Sequence, residues 1–134
     1  MNNEKPDFYG FWNYELGRDS SIFFGKIIEQ NGKKLKGTLI DKFGEAEFFG
    51  ALNDKKSFNF RKKYNKQAIK NGGSEVILNY NLIWKFGVED TKFYEGTWEN
   101  RRCDAGTCVI FPFTEESNAL VSFYNIFLEK IKIS

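Results

Sequence analysis

The chain has no histidine, and only two cysteines, two prolines and one methionine among its 134 residues. Without histidine the commonest general base is missing, and with it every Ser-His or Cys-His nucleophile arrangement. Most hydrolase templates are thereby excluded. A zinc site would have to combine Cys103 and Cys108 with carboxylates, which matches none of the usual ligand sets, so no metal and no cofactor is expected. The two cysteines flank Asp-Ala-Gly-Thr, which reads as a hairpin loop. That spacing can place the thiols across from each other, but in a reducing cytosol free thiols are the expectation. No apolar run is long enough to span a bilayer, and the opening Met1-Asn-Asn-Glu-Lys-Pro-Asp7 is polar and lacks the apolar core of a secretory signal, so a cytoplasmic protein is the simplest reading. The glycine-rich Asn71-Gly72-Gly73-Ser74 has no following lysine and reads as a turn and not as a phosphate loop. Two carboxylate pairs, Glu45 with Glu47 and Glu95 with Glu99, share a strand face, where solvated surface charge is the plain interpretation. No coherent catalytic constellation emerges, and an enzyme is not expected.

Aromatic residues make up 18% of the chain, and many stand beside a glycine. Examples are Phe8-Tyr9-Gly10-Phe11-Trp12, Phe23-Phe24-Gly25, Phe48-Phe49-Gly50 and Tyr94-Glu95-Gly96-Thr97-Trp98. Aromatic side chains suit a pleated surface, and a glycine inside a strand marks a bend, a bulge or a close backbone approach. Turn signals at Asn31-Gly32, Lys42-Phe43-Gly44, Asn53-Asp54, Asn71-Gly72-Gly73, Glu89-Asp90 and Asp104-Ala105-Gly106 cut the chain at regular intervals. The stretches between them predict strands over 8–15, 20–29, 35–42, 45–53, 56–64, 75–87, 91–100 and 106–113. Eight strands with mostly short connections predict an all-β fold in one domain: an antiparallel up-and-down barrel, closed so that no sheet edge is left.

Alternation supports the strands. Val76, Leu78, Tyr80, Leu82, Trp84 and Phe86 share one parity, and Phe58, Phe60 and Tyr64 share another. Lys62 falls on the apolar parity of its strand, so it either lies near the rim or projects inward. From Thr114 the period changes: Glu115 and Glu116 suit a helix start, Lys130 and Lys132 its end, and Leu120, Phe123, Tyr124, Phe127, Leu128 and Ile131 recur at helical spacing. A helix over about 115–131 is expected to pack on the outside of the sheet or cap one end of the barrel.

Net charge is +2, but residues 55–70 hold seven basic and no acidic side chains. Lys55, Lys56, Arg61, Lys62, Lys63, Lys66 and Lys70 alternate with Phe58, Phe60 and Tyr64, a mixture found in single-strand nucleic-acid grooves and also on solvated strands. On charge alone, an anionic ligand or an acidic protein partner ranks ahead of nucleic acid.

The stretches Lys36–Gly50, Phe58–Tyr64, Tyr94–Trp98 and Gly106–Phe111 resemble a recurrent pattern in small bacterial β-barrel proteins, themselves similar to the calycin group of lipocalins, fatty-acid-binding proteins and avidins. Gly10-Phe-Trp12-Asn-Tyr-Glu-Leu-Gly17 resembles the first strand of lipocalin and avidin barrels, where a Gly-x-Trp packs at the closed end. Asn79-Tyr80-Asn81 departs from the pattern by lacking a histidine and a Tyr-x-Gly. The resemblance implies a lipocalin-like barrel and no named ligand. The leading expectation is a non-enzymatic binding barrel for a small apolar or amphipathic molecule, with Trp12, Tyr80, Trp84, Tyr94 and Trp98 facing it and Arg61 or Lys62 meeting a carboxylate or phosphate at the mouth. Core packing is the alternative for each aromatic. The second expectation is a protein-protein interaction module, of inhibitor or immunity type, using the basic 55–70 face or the C-terminal helix.

Overall fold

A computed structural model describes residues 5–15, 19–87, 91–102 and 104–133, the side chains of 130–133 excepted. Expectations that fall on residues 1–4, Leu16 and Gly17, the turn at Glu89-Asp90, Cys103 and the side chains of Lys130, Ile131 and Lys132 lie outside the described residues. The strands are β1 (Phe8–Tyr14), β2 (Ser20–Asn31), β3 (Lys34–Asp41), β4 (Gly44–Asn53), β5 (Ser57–Tyr64), β6 (Leu78–Phe86), β7 (Lys92–Glu99) and β8 (Ala105–Pro112). Each pairs antiparallel with the next, and β8 returns to β1, so the sheet closes as an eight-stranded up-and-down barrel.

Strand polarity follows the alternation. On β5 Phe58, Phe60, Lys62 and Tyr64 are buried while Asn59, Arg61 and Lys63 are exposed. β6 begins three residues later than expected: Glu75-Val76-Ile77 precede it, and Phe86, on the apolar parity, is 72% exposed where the strand runs past the core. The β2–β3 hairpin carries one irregularity, a register shift between Ile27 and Glu29 that turns Ile28 outward.

Curvature is where glycine is required. A Cβ on Gly106 would lie 1.8 Å from the Asn13 carbonyl oxygen, and one on Gly96 would lie 1.9 Å from that of Asn81. At both points one strand folds so closely onto its neighbour that no side chain fits on the inner face. Large side chains of adjacent strands stand opposite these glycines instead, the Trp98 ring opposite Gly106 and Leu82 opposite Gly96.

Between β5 and β6 a short helix, α1 (Lys66–Lys70), sits over one end of the barrel. It was not expected from the sequence, where this stretch reads only as part of the basic 55–70 block. Asn65 caps it by accepting the Ala68 N–H at 2.8 Å, Ala68 is wholly buried against Gly44, and the Asn71 amide donates to the Phe43 carbonyl at 2.9 Å. Asn71-Gly72-Gly73 is the turn that ends α1, with Gly72 at φ +114 against the Phe43 ring.

The C-terminal segment is a 3-10 helix over Glu115–Leu120 followed by α2 (Val121–Ile133), where a single helix over 115–131 was expected. Thr114 and Ser117 form a capping box at the start. The helix packs on the outside of the barrel. Tyr124 is buried against Phe24 and Ile40, outward residues of β2 and β3, and Phe127 lies 5.8 Å from the Phe24 ring. Phe123 and Ile126 face solvent. No described helix is long and apolar enough to cross a membrane.

Candidate functional site

The barrel interior is built from the inward parity of all eight strands, and among the described residues it is closely packed with side chains. Phe8, Phe48, Phe58 and Phe60 interlock edge to face, with centroids 5.5 to 6.3 Å apart for most pairs, and Phe60 stacks on Tyr80 at 4.5 Å. Near the end covered by α1, a cleft of about 20 Å³ remains between Trp12, Tyr64, Tyr80 and Trp98. That is room for roughly one water molecule.

The expected site residues divide between three places. Trp12, Tyr80, Trp98 and Lys62 come together in the half of the barrel beneath α1. Trp84 and Tyr94 pack on each other at 4.7 Å in the opposite half, where the Trp84 indole N–H is buried without an acceptor among the described residues and the Tyr94 hydroxyl accepts from the Lys55 N–H at 3.2 Å. Arg61 is on the outer surface. Neither cation stands at a mouth.

Lys62 projects inward and is 1% exposed. Its ammonium donates to Asp41 Oδ2 at 2.8 Å and to the Tyr64 hydroxyl at 2.8 Å, and it lies 4.4 Å from the Tyr64 ring centre and 5.7 Å from that of Trp12. Asp41 is saturated: Oδ2 also accepts from the Tyr64 hydroxyl and from Trp12 Nε1 at 3.1 Å, and Oδ1 accepts the Phe43 N–H at 2.9 Å. The four side chains tie β1, β3 and β5 together across the core. Burial opposes ionisation of Asp41, but the Lys62 charge and the converging hydrogen bonds outweigh it and hold the carboxyl below its ordinary value. Burial, with the Asp41 charge added, raises the Tyr64 hydroxyl well above 10.0, and burial does the same to Tyr80. Burial also pushes up the Cys108 thiol, which is free and faces the core. Trp12, Asp41, Lys62 and Tyr64 form a buried structural network centred on the Asp41 carboxylate.

Two concavities of similar size lie on the outer wall, one of about 820 Å³ over β5 to β8 and one over β3 to β6. A groove of about 840 Å³ crosses the outer face of β3 to β6 and reaches Glu29 on one side and Glu99 on the other. Register makes its floor a grid. One row runs Lys36, Phe49, Arg61, Asn79, Glu99, each directly opposite the next on the neighbouring strand. The row beside it runs Lys34, Ala51, Asn59, Asn81. Phe49 is 44% exposed, and small Ala51 leaves a depression beside the ring. Lys36 pairs with Glu29 at 3.0 Å, and the Asn79 amide donates to Glu99 at 3.0 Å. Arg61 and Lys34 have no ion-pair partner among the described residues.

The basic 55–70 block is not one face. Lys62 is inside the barrel, Lys55 and Lys56 are in the β4–β5 turn, Lys66 and Lys70 are on α1, and Lys63 stands opposite Glu47. Only Arg61 enters the groove. Of the carboxylate pairs, Glu95 is held by Lys85 at 3.0 Å and Glu99 by Asn79, all on the outer surface. No cluster of three or more metal-ligating residues occurs among the described residues.

Sequence reasoning did not find Asp41 and Tyr64 as partners of Lys62, or the grid of Phe49, Asn59, Asn79 and Asn81. A signal existed for the first: Leu35, Gly37, Leu39 and Asp41 share the inward parity of β3, so two strands each carry one charge on the apolar side, of opposite sign. The grid had no such signal, because exposed asparagines look alike until register sets them side by side.

Fold and site together define a closed eight-stranded β-barrel with an aromatic, ion-paired core and, on its outer wall, a groove of mixed polar and apolar lining. Comparison with protein-family models, curated proteins and solved structures finds no match to this chain.

Proposed function

We propose that the protein is a non-enzymatic binding module that works from the outer wall of its barrel. The observation that carries this reading is the contrast in free space: about 20 Å³ within the aromatic core against about 840 Å³ in the groove over β3 to β6. Recognition sites for small or extended ligands commonly occupy roughly 300–1,000 Å³ with a few placed polar groups among apolar ones. The groove has that size and that mixture. A calycin-type guest inside the barrel would have to displace Phe58, Phe60 or Tyr80, each 3% exposed and packed ring against ring. The network around Lys62 supports the fold and offers no unpaired charge to such a guest.

The test is an amide shift map of the labelled protein against a mixture of small carboxylates, amides, sugars and aromatic acids. Saturable shifts are expected at Phe49, Asn59, Arg61, Asn79 and Asn81, and their loss in Phe49→Ala and Arg61→Ala variants that fold normally. Shifts confined to the inward residues Phe58, Phe60 and Tyr94 would overturn the reading in favour of an interior ligand.

A further inference from the structure

The groove's own chemistry narrows its ligand, and this step rests on the reading of the groove as the binding surface. We propose that the groove takes an acidic oligosaccharide, a chain of hydroxyl-rich rings carrying carboxylates, laid across β3 to β6. Three features of the floor lead there.

The first is uncompensated positive charge of small extent. Lys36 is neutralised by Glu29, which leaves Arg61 and Lys34 on neighbouring rows. Arg61 presents the planar fork that meets a carboxylate with two parallel hydrogen bonds. The second is the amide set. Asn59 and Asn81 lie directly opposite each other, and Asn79 is two residues from Asn81 on the same outer face. An amide offers a donor and an acceptor side by side, which suits adjacent ring hydroxyls that both give and take a hydrogen bond. The third is the exposed Phe49 ring between Lys36 and Arg61, next to the depression at Ala51, where the apolar C–H face of a sugar ring removes aromatic surface from water.

Glu99 decides between polyanions. Glu29 is paired with Lys36, but Glu99 has no cation partner among the described residues, so a single-stranded nucleic acid would bring its run of phosphates against that carboxylate while finding one exposed ring to stack on. A hydroxyl-rich ligand uses Glu99 as an acceptor. Arg61 and Lys34 are placed to meet two of its carboxylates.

The experiment titrates the intact protein with oligogalacturonate trimer, with cellotriose as the neutral sugar of equal length and with a short oligothymidylate as the non-sugar polyanion. Binding is read by calorimetry and by the amide shift map. The trimer is expected to shift the amides of Asn59, Arg61, Asn79 and Asn81. It should bind about tenfold or more tightly than cellotriose, the size of one charge-assisted contact. Arg61→Ala is expected to remove that advantage, Arg61→Lys to restore part of it, and Phe49→Ala to weaken both sugars together. Equal binding of trimer and cellotriose, or tighter binding of oligothymidylate in the same groove, would overturn the acidic-sugar assignment and leave the groove standing as the site. Absence of groove shifts with all three probes would overturn the assignment as well, and the small-molecule mixture then decides separately whether the groove binds anything.

Discussion

At the scale of single residues, the Lys62–Asp41 pair sets the behaviour of the core. Buried ion pairs add little net stability compared with well-packed apolar replacements, but breaking one by removing a partner is costly, because a charge is left buried and uncompensated. Lys62→Met is therefore expected to destabilise the protein by about 3–5 kcal/mol in urea unfolding. The double variant Asp41→Leu with Lys62→Met is expected to recover only part of that loss, because the Trp12 indole N–H, the Tyr64 hydroxyl and the Phe43 N–H lose their acceptor. Equal stability of the single variant and the wild type would contradict the network as described. The pH dependence has a definite sign on each side. Asp41 ionises more readily folded than unfolded, so its contribution is complete above the ordinary carboxylate value of 3.8 and is lost as the pH falls through the lower folded value. Tyr64 and Tyr80 ionise less readily folded than unfolded, so the stability they contribute is present below 10.0 and declines as the pH rises beyond it. Unfolding free energy measured across pH is expected to fall at both extremes, and the acid limb is expected to flatten in the Asp41→Leu, Lys62→Met double variant.

At the scale of elements, the inward glycines and α2 do different work. Gly106 lets β8 fold onto β1 where even one methyl group would meet the Asn13 carbonyl oxygen. Backbone cannot move aside as a flexible side chain does, so Gly106→Ala is expected to cost roughly 1–3 kcal/mol, the scale of overpacking. A melting temperature unchanged in that variant would show that the strands are less closely coiled than described. The helix α2 covers Phe24 and Ile40 through Tyr124. Tyr124→Ala is expected to lower stability by about 3–5 kcal/mol, as for other large aromatic truncations, and to raise binding of an apolar dye as the outer wall is uncovered.

The strand order was readable from the alternation and the turn residues, because eight short strands with two-fold periodicity leave few other arrangements. Parity placed Lys62 on the apolar side of its strand but left rim and interior open, because only the carboxylate of Asp41 across the core compensates the charge on an inward course. The helix α1 could not, since Lys66–Lys70 is stabilised by Asn65 as a cap and by Ala68 filling the space above Gly44, a tertiary contact that composition does not reveal. The groove was illegible for a related reason. Phe49, Arg61 and Asn79 are 12 and 18 residues apart in sequence, and only strand register makes them neighbours.

At the scale of the whole molecule, aromatic-glycine segments produce a tightly wound barrel whose rings consume the interior. Ligand contact then falls to the outer wall, where strands present polar side chains on a regular grid. The most direct measurement is an amide shift titration of the labelled protein with laurate, a ligand of the kind an open apolar barrel would hold. The filled barrel predicts no saturable shifts at Phe58, Phe60, Tyr80 or Tyr94 up to the solubility of the fatty acid. Saturable shifts at those four residues, with displacement of the Phe60–Tyr80 stack, would contradict it.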